Sequence, residues 1–556
     1  MKNVVNRAIM AKKTMNKIVL CTLSLCTLAL TACNDLLDQK PYGQFIEDQM
    51  DESAVAGLLA SAYAGLEAHY FGNNEAFAGP STNWIFDVRS DDALKGGGGI
   101  SMEGNIHQYE ISNITSDNVS ALDKWKNNYY GISRVHRAMT AIKNAESISN
   151  KNQYLGELKV LRAFYYFDLV RLFQYLPYFT EDDDPNTTRN DQYTQLDIYR
   201  FIQRDLREAY AMMDEKEPSA GRFNKYAAAA LMAKACAYTE DWDSVIVYAD
   251  HVIGSGKYAL YPRYQDMSKI DFNNTYESII AMQCSTADDY AHFNWSNLLN
   301  VTYSAGNLYG TGDDFFYGSQ NLVDAFRTDA NGLPYLDNAP STHVSGTYTG
   351  NVDPRLDFTV GRIGFPFRGY TYTDKWCRTK DVYGEYSNKK CCIDPTDPRM
   401  ASGWPWGASP LNWPFLRYAD LLLFKAEACV EKNDLSTAMA LVNEIREKAK
   451  RSIDVIYVPQ DIDVAKANYK VEPYTTFASQ DEARKAVRME RRLELALEGH
   501  RWFDLVRWGV AVETMNAYFA SESTFHTYYS DANMSSDELF LPTPYEEVLN
   551  SNGLYK

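Results

Sequence analysis

Cysteine is scarce in this chain, nine in 556 residues, too few for a small secreted scaffold held by disulfides. Stability must come from a large buried core, which this length allows. Histidine is scarcer, at eight, with no pair spaced to share a helix face and no HExxH string, which removes the common zinc-hydrolase pattern. The run Gly96 to Gly99 has no Lys-Ser or Lys-Thr behind it, so it is not a phosphate-binding loop and reads as a flexible one. A GxSxG nucleophile elbow and the kinase motif set are also missing. Positive charge is short: 55 Lys and Arg stand against 73 Asp and Glu, a net charge of −18. Such a surface repels phosphate polymers, so nucleic acid is excluded as a partner. No catalytic residue, metal site or cofactor is assigned.

What is present begins with a leader. Lys2, Arg7, Lys12, Lys13 and Lys17 precede an uncharged apolar stretch from Ile18 to Leu30, which ends in Leu30-Thr31-Ala32-Cys33. The stretch is too short for a comfortable bilayer span and has the small residues of a cleavage site, so residues 1–32 read as a secretory signal. The Leu-Thr-Ala-Cys string resembles a bacterial lipobox, which makes Cys33 the expected acylated N-terminus of the mature protein. Acyl chains, at about 0.8 kcal/mol per buried methylene, hold a protein on a membrane without a spanning helix. Loss of five positive charges with the leader takes the net charge from −18 to −23. Cys236 and Cys429 lie in helical patterns as buried thiols, whereas Cys377, Cys391 and Cys392 share a loop-rich stretch where a local disulfide is open.

Helical periodicity dominates both ends. Leu158, Leu161, Phe164, Tyr165, Leu169 and Leu172 recur at intervals of three and four, predicting an amphipathic helix from Tyr154 to Phe173 that Pro177 stops. Asp481 to Trp508 is a second helical stretch, with Met489, Leu493, Ala496 and Leu497 on one face. Arg491, Glu494, Glu498 and Arg501 are spaced on another face for intrahelical ion pairs, and Gly499 is placed to bend or break the helix. Two internal echoes stand out. Phe-Asp-Leu-Val-Arg occurs at 167–171 and at 503–507, and Lys234 to Glu240 is echoed by Lys425 to Glu431, each followed by a polar break and another helix. These hairpins fit degenerate tetratricopeptide-like units, which stack to bury a face that none buries alone.

Between the hairpins, residues 258–414 crowd Gly, Pro, Asn, Asp and aromatics, and a smaller interruption spans 70–118. The expected fold is mainly α, a tetratricopeptide-like helical hairpin scaffold carrying a large irregular, loop-rich region with short strands. Sugar binding asks for flat aromatic faces and polar side chains to satisfy hydroxyls. Three clusters offer both: Trp84, Asp87, Arg89 and Asp91; Trp295, Tyr303, Tyr309 and Tyr317; and Arg368, Tyr370, Tyr372 and Trp376. The candidate glycan contacts are Trp84, Asp87, Arg89, Asp91, Trp295, Tyr309, Arg368, Tyr370 and Trp376. Adjacent acids such as Asp313-Asp314 read as solvated loop or cap residues and not as the flanking pair of a glycosidase. Asp168 with Arg171, and Asp504 with Arg507, read as structural i,i+3 ion pairs.

Several strings, in order along nearly the whole mature chain, resemble the SusD/RagB family. They are Cys33 to Pro41, Leu161 to Arg171, Leu416 to Glu427, Val442 to Arg446, the stretch Glu490-Arg-Arg-Leu-Glu-Leu-Ala-Leu-Glu-Gly-His-Arg-Trp-Phe-Asp-Leu-Val-Arg-Trp-Gly509, and Leu539 to Glu547. The tail Asn550-Ser-Asn-Gly-Leu-Tyr555 departs from the proline-containing ending more usual there. The resemblance implies a helical fold with tetratricopeptide-like repeats and a cell-surface, outer-membrane lipoprotein anchored through Cys33. It further implies a glycan ligand, a TonB-dependent SusC-like transporter as partner, and a glycan face built from the N-terminal loop region and the middle irregular region. Peptide uptake, as in the RagB-like branch, and an envelope glycan-active enzyme are the alternative readings.

Overall fold

The computed structural model describes residues 52–67, 86–145, 148–287, 294, 299–303, 309–390, 392–401, 407–456 and 467–556. Helices lead from the first of these: α1 (Glu52–Tyr63), α2 (Gly104–Glu110), α3 (Val119–Asn144), α4 (Lys151–Leu172), α5 (Gln195–Met212), α6 (Lys225–Ala237) and α7 (Trp242–Gly254). Each helix from α3 to α7 packs on the next. Three short helices, α8 (Gln320–Ala325), α9 (Leu356–Thr359) and α10 (Lys380–Tyr383), punctuate the irregular middle. The C-terminal part returns to long helices: α11 (Tyr418–Glu431), α12 (Leu435–Arg451), α13 (Gln480–Leu495), α14 (Arg501–Arg507) and α15 (Ala511–Glu522), with α16 (Tyr545–Asn550) near the end. Among the described residues no helix is long and apolar enough to cross a membrane.

Strands are short and pair two by two: β1 (Ala93–Gly96) with β3 (Phe315–Gly318), β2 (Ser278–Met282) with β7 (Trp413–Arg417), β4 (Asn351–Val352) with β8 (Asn468–Tyr469), and β5 (Pro366–Phe367) with β6 (Tyr370–Thr371). The mainly helical expectation holds.

The repeat is exact at the level of the turn. In α6–α7 and in α11–α12 a left-handed residue, Glu240 or Asn433, precedes the cap. An aspartate then caps the next helix: Asp241 accepts from the Ser244 N–H, and Asp434 accepts from the Thr437 N–H. The same aspartates donate their own N–H to the carbonyls of Cys236 and Cys429. Both thiols are unpaired and buried, and α11 packs against α6 and α7, so the echoed hairpins stack on each other. Cys377 is a free thiol, Cys392 is buried, and Cys391 lies outside the described residues.

Two expectations need correction. The helix α4 has the predicted bounds within a few residues, yet from Leu155 to Leu172 every side chain but Lys159 is buried. It is a central helix covered on all sides, and its charges are paired internally: Glu157 with Arg222, Arg162 with Asp205, and Asp168 with Arg171. The second concerns Arg491, Glu494, Glu498 and Arg501. The break at Gly499 is as expected, with Leu497 and Gly499 both left-handed, but the charges form no solvent-facing intrahelical ladder. Arg491 pairs with Asp420 and Asp504, and Glu494 with Arg417, Lys448 and Arg355. Glu498 pairs with Arg417 and Lys390, and Arg501 with Asp91. Opposite charges buried together relieve a desolvation cost that neither could bear alone.

Candidate functional site

The N-terminal loop region enters the middle region through β1 and β3, which pair Ala93 with Gly318, Leu94 with Tyr317 and Gly96 with Phe315. Before β1 the chain is bolted to the C-terminal helices. Asp87 accepts the Gly499 N–H at 2.7 Å, and burial pushes its carboxyl well above the ordinary range. The Arg89 guanidinium lies 4.1 Å from the Trp502 ring and donates to the Glu538 carbonyl; burial lowers it to about 9. Asp91 receives two bonds from Arg501, at 2.8 and 2.9 Å, and a contact from Arg492 at 3.1 Å; these cations outweigh burial and hold its carboxyl below the usual range. All three are buried. They join the N-terminal loop to the helix break. Trp84, of the same cluster, lies outside the described residues.

After β1 the glycine run is not a loose loop. The Lys95 ammonium donates to the carbonyls of Gly96, Gly99 and Met102, at 3.2, 2.8 and 2.6 Å. Burial lowers this amine to about 8. Gly96 and Gly97 are left-handed, and a Cβ on either would lie under 3 Å from Asp314 or Phe315, so the turn passes β3 only as glycine. Thr379 donates to the Gly97 carbonyl.

Arg378 sits where these pieces meet. Its backbone N–H donates to Asp314 and its guanidinium donates to Asp313 at 3.1 Å, while lying 4.9 Å from the ring of Tyr303. Asp314 is buried, accepts from Tyr317, and is raised by burial to about 7. Tyr303 is 37% exposed and the Asp313 side chain 48% exposed. The surface therefore offers a ring, a guanidinium and a carboxylate side by side.

Beneath lies a small aromatic core, separate from the main one: Val301, Tyr309, Phe367, Tyr372, Trp376 and Cys392. Phe367 stacks on Tyr372 at 5.4 Å, and Trp376 meets both edge-on. Tyr309 is buried and donates to the Ile393 carbonyl. Candidates Tyr309 and Trp376 thus lie in the floor, with their rings packed within this cluster. The Trp376 carbonyl accepts the Tyr303 N–H, tying face to floor. The same core carries the β5–β6 hairpin, whose turn residues Arg368 and Gly369 are both left-handed, as tight hairpins require. Arg368 points inward to the carbonyls of Lys389 and Lys390, at 2.8 and 3.1 Å. Tyr370, just beyond the turn, is 41% exposed. Trp295 lies outside the described residues.

Of the nine candidate contacts, Tyr370 alone among the described residues presents an open ring. Arg378 and Asp313 are not among those candidates. The only sequence signal for Arg378 is its place two residues after Trp376, and Asp313 has the pattern of a solvated loop acid. Among the described residues no three His, Cys, Asp or Glu gather as metal ligands.

A helical-hairpin scaffold carrying one irregular, aromatic-floored face defines a mainly helical protein of the tetratricopeptide-like class. The chain belongs to the SusD family, whose model matches residues 276–556, and residues 35–236 match a model described as "Starch-binding associating with outer membrane". It is 25% identical over 513 residues to SusD-like protein P38 of Formosa agariphila, covering 87% of this chain and 90% of that one. Its fold is similar to a SusD superfamily protein from Bacteroides vulgatus, with TM-score 0.70, 22% identity and coverage of 91% and 98%. Surface glycan-binding protein A from Bacteroides thetaiotaomicron, solved in complex with laminarihexaose, is also similar, with TM-score 0.67, 19% identity and coverage of 90% and 98%.

Proposed function

We propose that this chain is a lipid-anchored, cell-surface protein of the outer membrane that captures glycans and hands them to a SusC-like TonB-dependent transporter, without catalysing a reaction on them. The observation that carries this reading is the face at Tyr303, Arg378 and Asp313. A flat ring beside a guanidinium donor and a carboxylate acceptor matches a sugar, which has one apolar face and a rim of hydroxyls. Membership of the SusD family and the laminarihexaose complex of a similar fold support the same ligand class. Tyr370 extends the ring set, and Trp84 and Trp295 are proposed as further contacts. Cys33 is proposed as the acylated residue, supported by the lipobox-like string and by the outer-membrane description of the matching family model.

Affinity electrophoresis of the mature protein through gels containing neutral polysaccharides, laminarin and starch among them, tests the reading. Retardation by at least one polysaccharide with no release of reducing ends is expected. Migration unchanged in every gel, together with binding to a peptide library, would replace the glycan reading by a peptide one.

A further inference from the structure

A cavity of about 450 Å³, sharing no residue with the face at Tyr303, lies between the turn before α3, the segment that follows α4 and the stretch leading into α16. That volume falls within the range of small-molecule sites. One wall comes from the string Leu539 to Glu547, which the glycan face does not use. Hydrogen bonds fix this wall to the others. The Leu541 N–H donates to the Leu172 carbonyl at 2.7 Å, and the Tyr545 N–H donates to the Ser116 carbonyl at 2.8 Å. Asn190 donates to the Thr543 hydroxyl at 3.2 Å. Pro542 and Pro544 restrict the backbone of the string further. The opening is therefore preformed, and a ligand entering it pays little for ordering the protein.

The lining suits a neutral, hydroxylated ring. Two tyrosine rings stand open on it, Tyr175 at 37% exposure and Tyr545 at 55%. Beside them are three accessible polar side chains, the Gln174 amide, the Ser116 hydroxyl and the Asp537 carboxylate. None of the three is hydrogen-bonded through its side chain among the described residues, so an amide donor, a hydroxyl and a carboxylate acceptor are all free for a ligand. Charge favours no ion. Lys556 is the one cation of the lining, and Asp191 balances it at 2.6 Å. Glu538, the other acid, already accepts the Ser535 N–H, and an exposed carboxylate such as Asp537 draws a cation only weakly. Flat rings beside unpaired amide, hydroxyl and carboxylate groups are what a sugar with an apolar face and a rim of hydroxyls requires. We infer that this cavity is a second saccharide site for a neutral mono- or disaccharide unit, in which Tyr545 and Tyr175 cover apolar faces of the sugar while Gln174, Ser116 and Asp537 take its hydroxyls.

Saturation-transfer NMR on the whole mature chain carrying Tyr303→Ala, with maltose, cellobiose, laminaribiose and xylobiose each at millimolar concentration, provides the test. At least one disaccharide should receive saturation with the first face disabled. Adding Tyr545→Ala should weaken its binding about tenfold or more, and adding Gln174→Ala about threefold or more. Both side chains are exposed, so thermal melts should show the fold unchanged in either variant. The inference is overturned if no disaccharide responds in Tyr303→Ala, or if the response persists undiminished in Tyr545→Ala or in Gln174→Ala. Polysaccharide retardation that depends on Tyr303, with no response from this cavity, sinks this inference alone. A wild-type protein that binds no saccharide at all sinks the proposed function with it.

Discussion

The guanidinium of Arg171 lies 4.1 Å from the ring of Phe503 and 4.5 Å from that of Phe167, so the two copies of Phe-Asp-Leu-Val-Arg meet in space. Each copy keeps its own i,i+3 pair, Asp168 with Arg171 at 3.1 Å and Asp504 with Arg507 at 2.8 Å. The internal echo thus marks the contact that closes the C-terminal helices onto the N-terminal ones. Phe503→Ala should cost about 3–5 kcal/mol of stability. In a double-mutant cycle with Arg171→Met, denaturant melts should show a coupling of about 0.5–2 kcal/mol. Additive effects would mean the cation over the ring is incidental.

The buried network around Arg417 makes a second prediction. Arg417→Met leaves Glu277, Glu494 and Glu498 short of a partner in the interior, and should destabilise by about 3–5 kcal/mol. The surface pair Lys126 with Glu546 is the control, and Lys126→Met should cost under about 1 kcal/mol. Equal losses in chemical denaturation would contradict the burial argument.

Stability should depend on pH in two windows of opposite sign. Burial alone would raise Glu498, but Arg417 and Lys390 outweigh it and hold the carboxyl at about 2, below the ordinary 4.5. Its contribution is therefore complete above the ordinary value and is lost as pH falls toward 2. Asp314 behaves oppositely: burial raises it to about 7 from 3.8, so the folded state binds the extra proton and stability falls as pH rises toward 7. Melting curves of Asp314→Asn should lose the slope between those two values. A slope unchanged in that variant would assign it to another group.

Lys95→Met removes the donor from three carbonyls of the glycine turn. A loss of about 1–3 kcal/mol is expected, with faster proteolysis between Gly96 and Met102. Unaltered cleavage would show that the pairing of β1 with β3 holds the turn unaided.

The long helices, the break at Gly499 and the stacked hairpins were legible because they are written in local spacing and local turns. Which surface each helix showed to solvent was not. Arg491, Glu494, Glu498 and Arg501 have the spacing of an exposed ion-pair ladder, but their partners come from elsewhere in the chain, and Arg501 reaches Asp91 across 410 residues. The burial of Asp87, Arg89 and Asp91 was hidden for the same reason: charges in a polar loop look solvated until the remote partner is known. Within the site, aromatic clustering located the floor, since Tyr309, Tyr372 and Trp376 do converge. The face above it depends on Arg378 and Asp313, brought together across 65 residues, a distance that no local pattern spans.

Calorimetric titration with a polysaccharide that retards the wild-type protein, run beside thermal melts on Tyr303→Ala and Trp376→Ala, tests the central claim most directly. Tyr303→Ala should weaken binding about tenfold or more, the worth of about 1–3 kcal/mol of stacking, with the melting temperature kept. Trp376, 9% exposed in the aromatic floor, should instead lower the melting temperature through a cavity worth about 3–5 kcal/mol. Wild-type affinity in Tyr303→Ala would contradict the account.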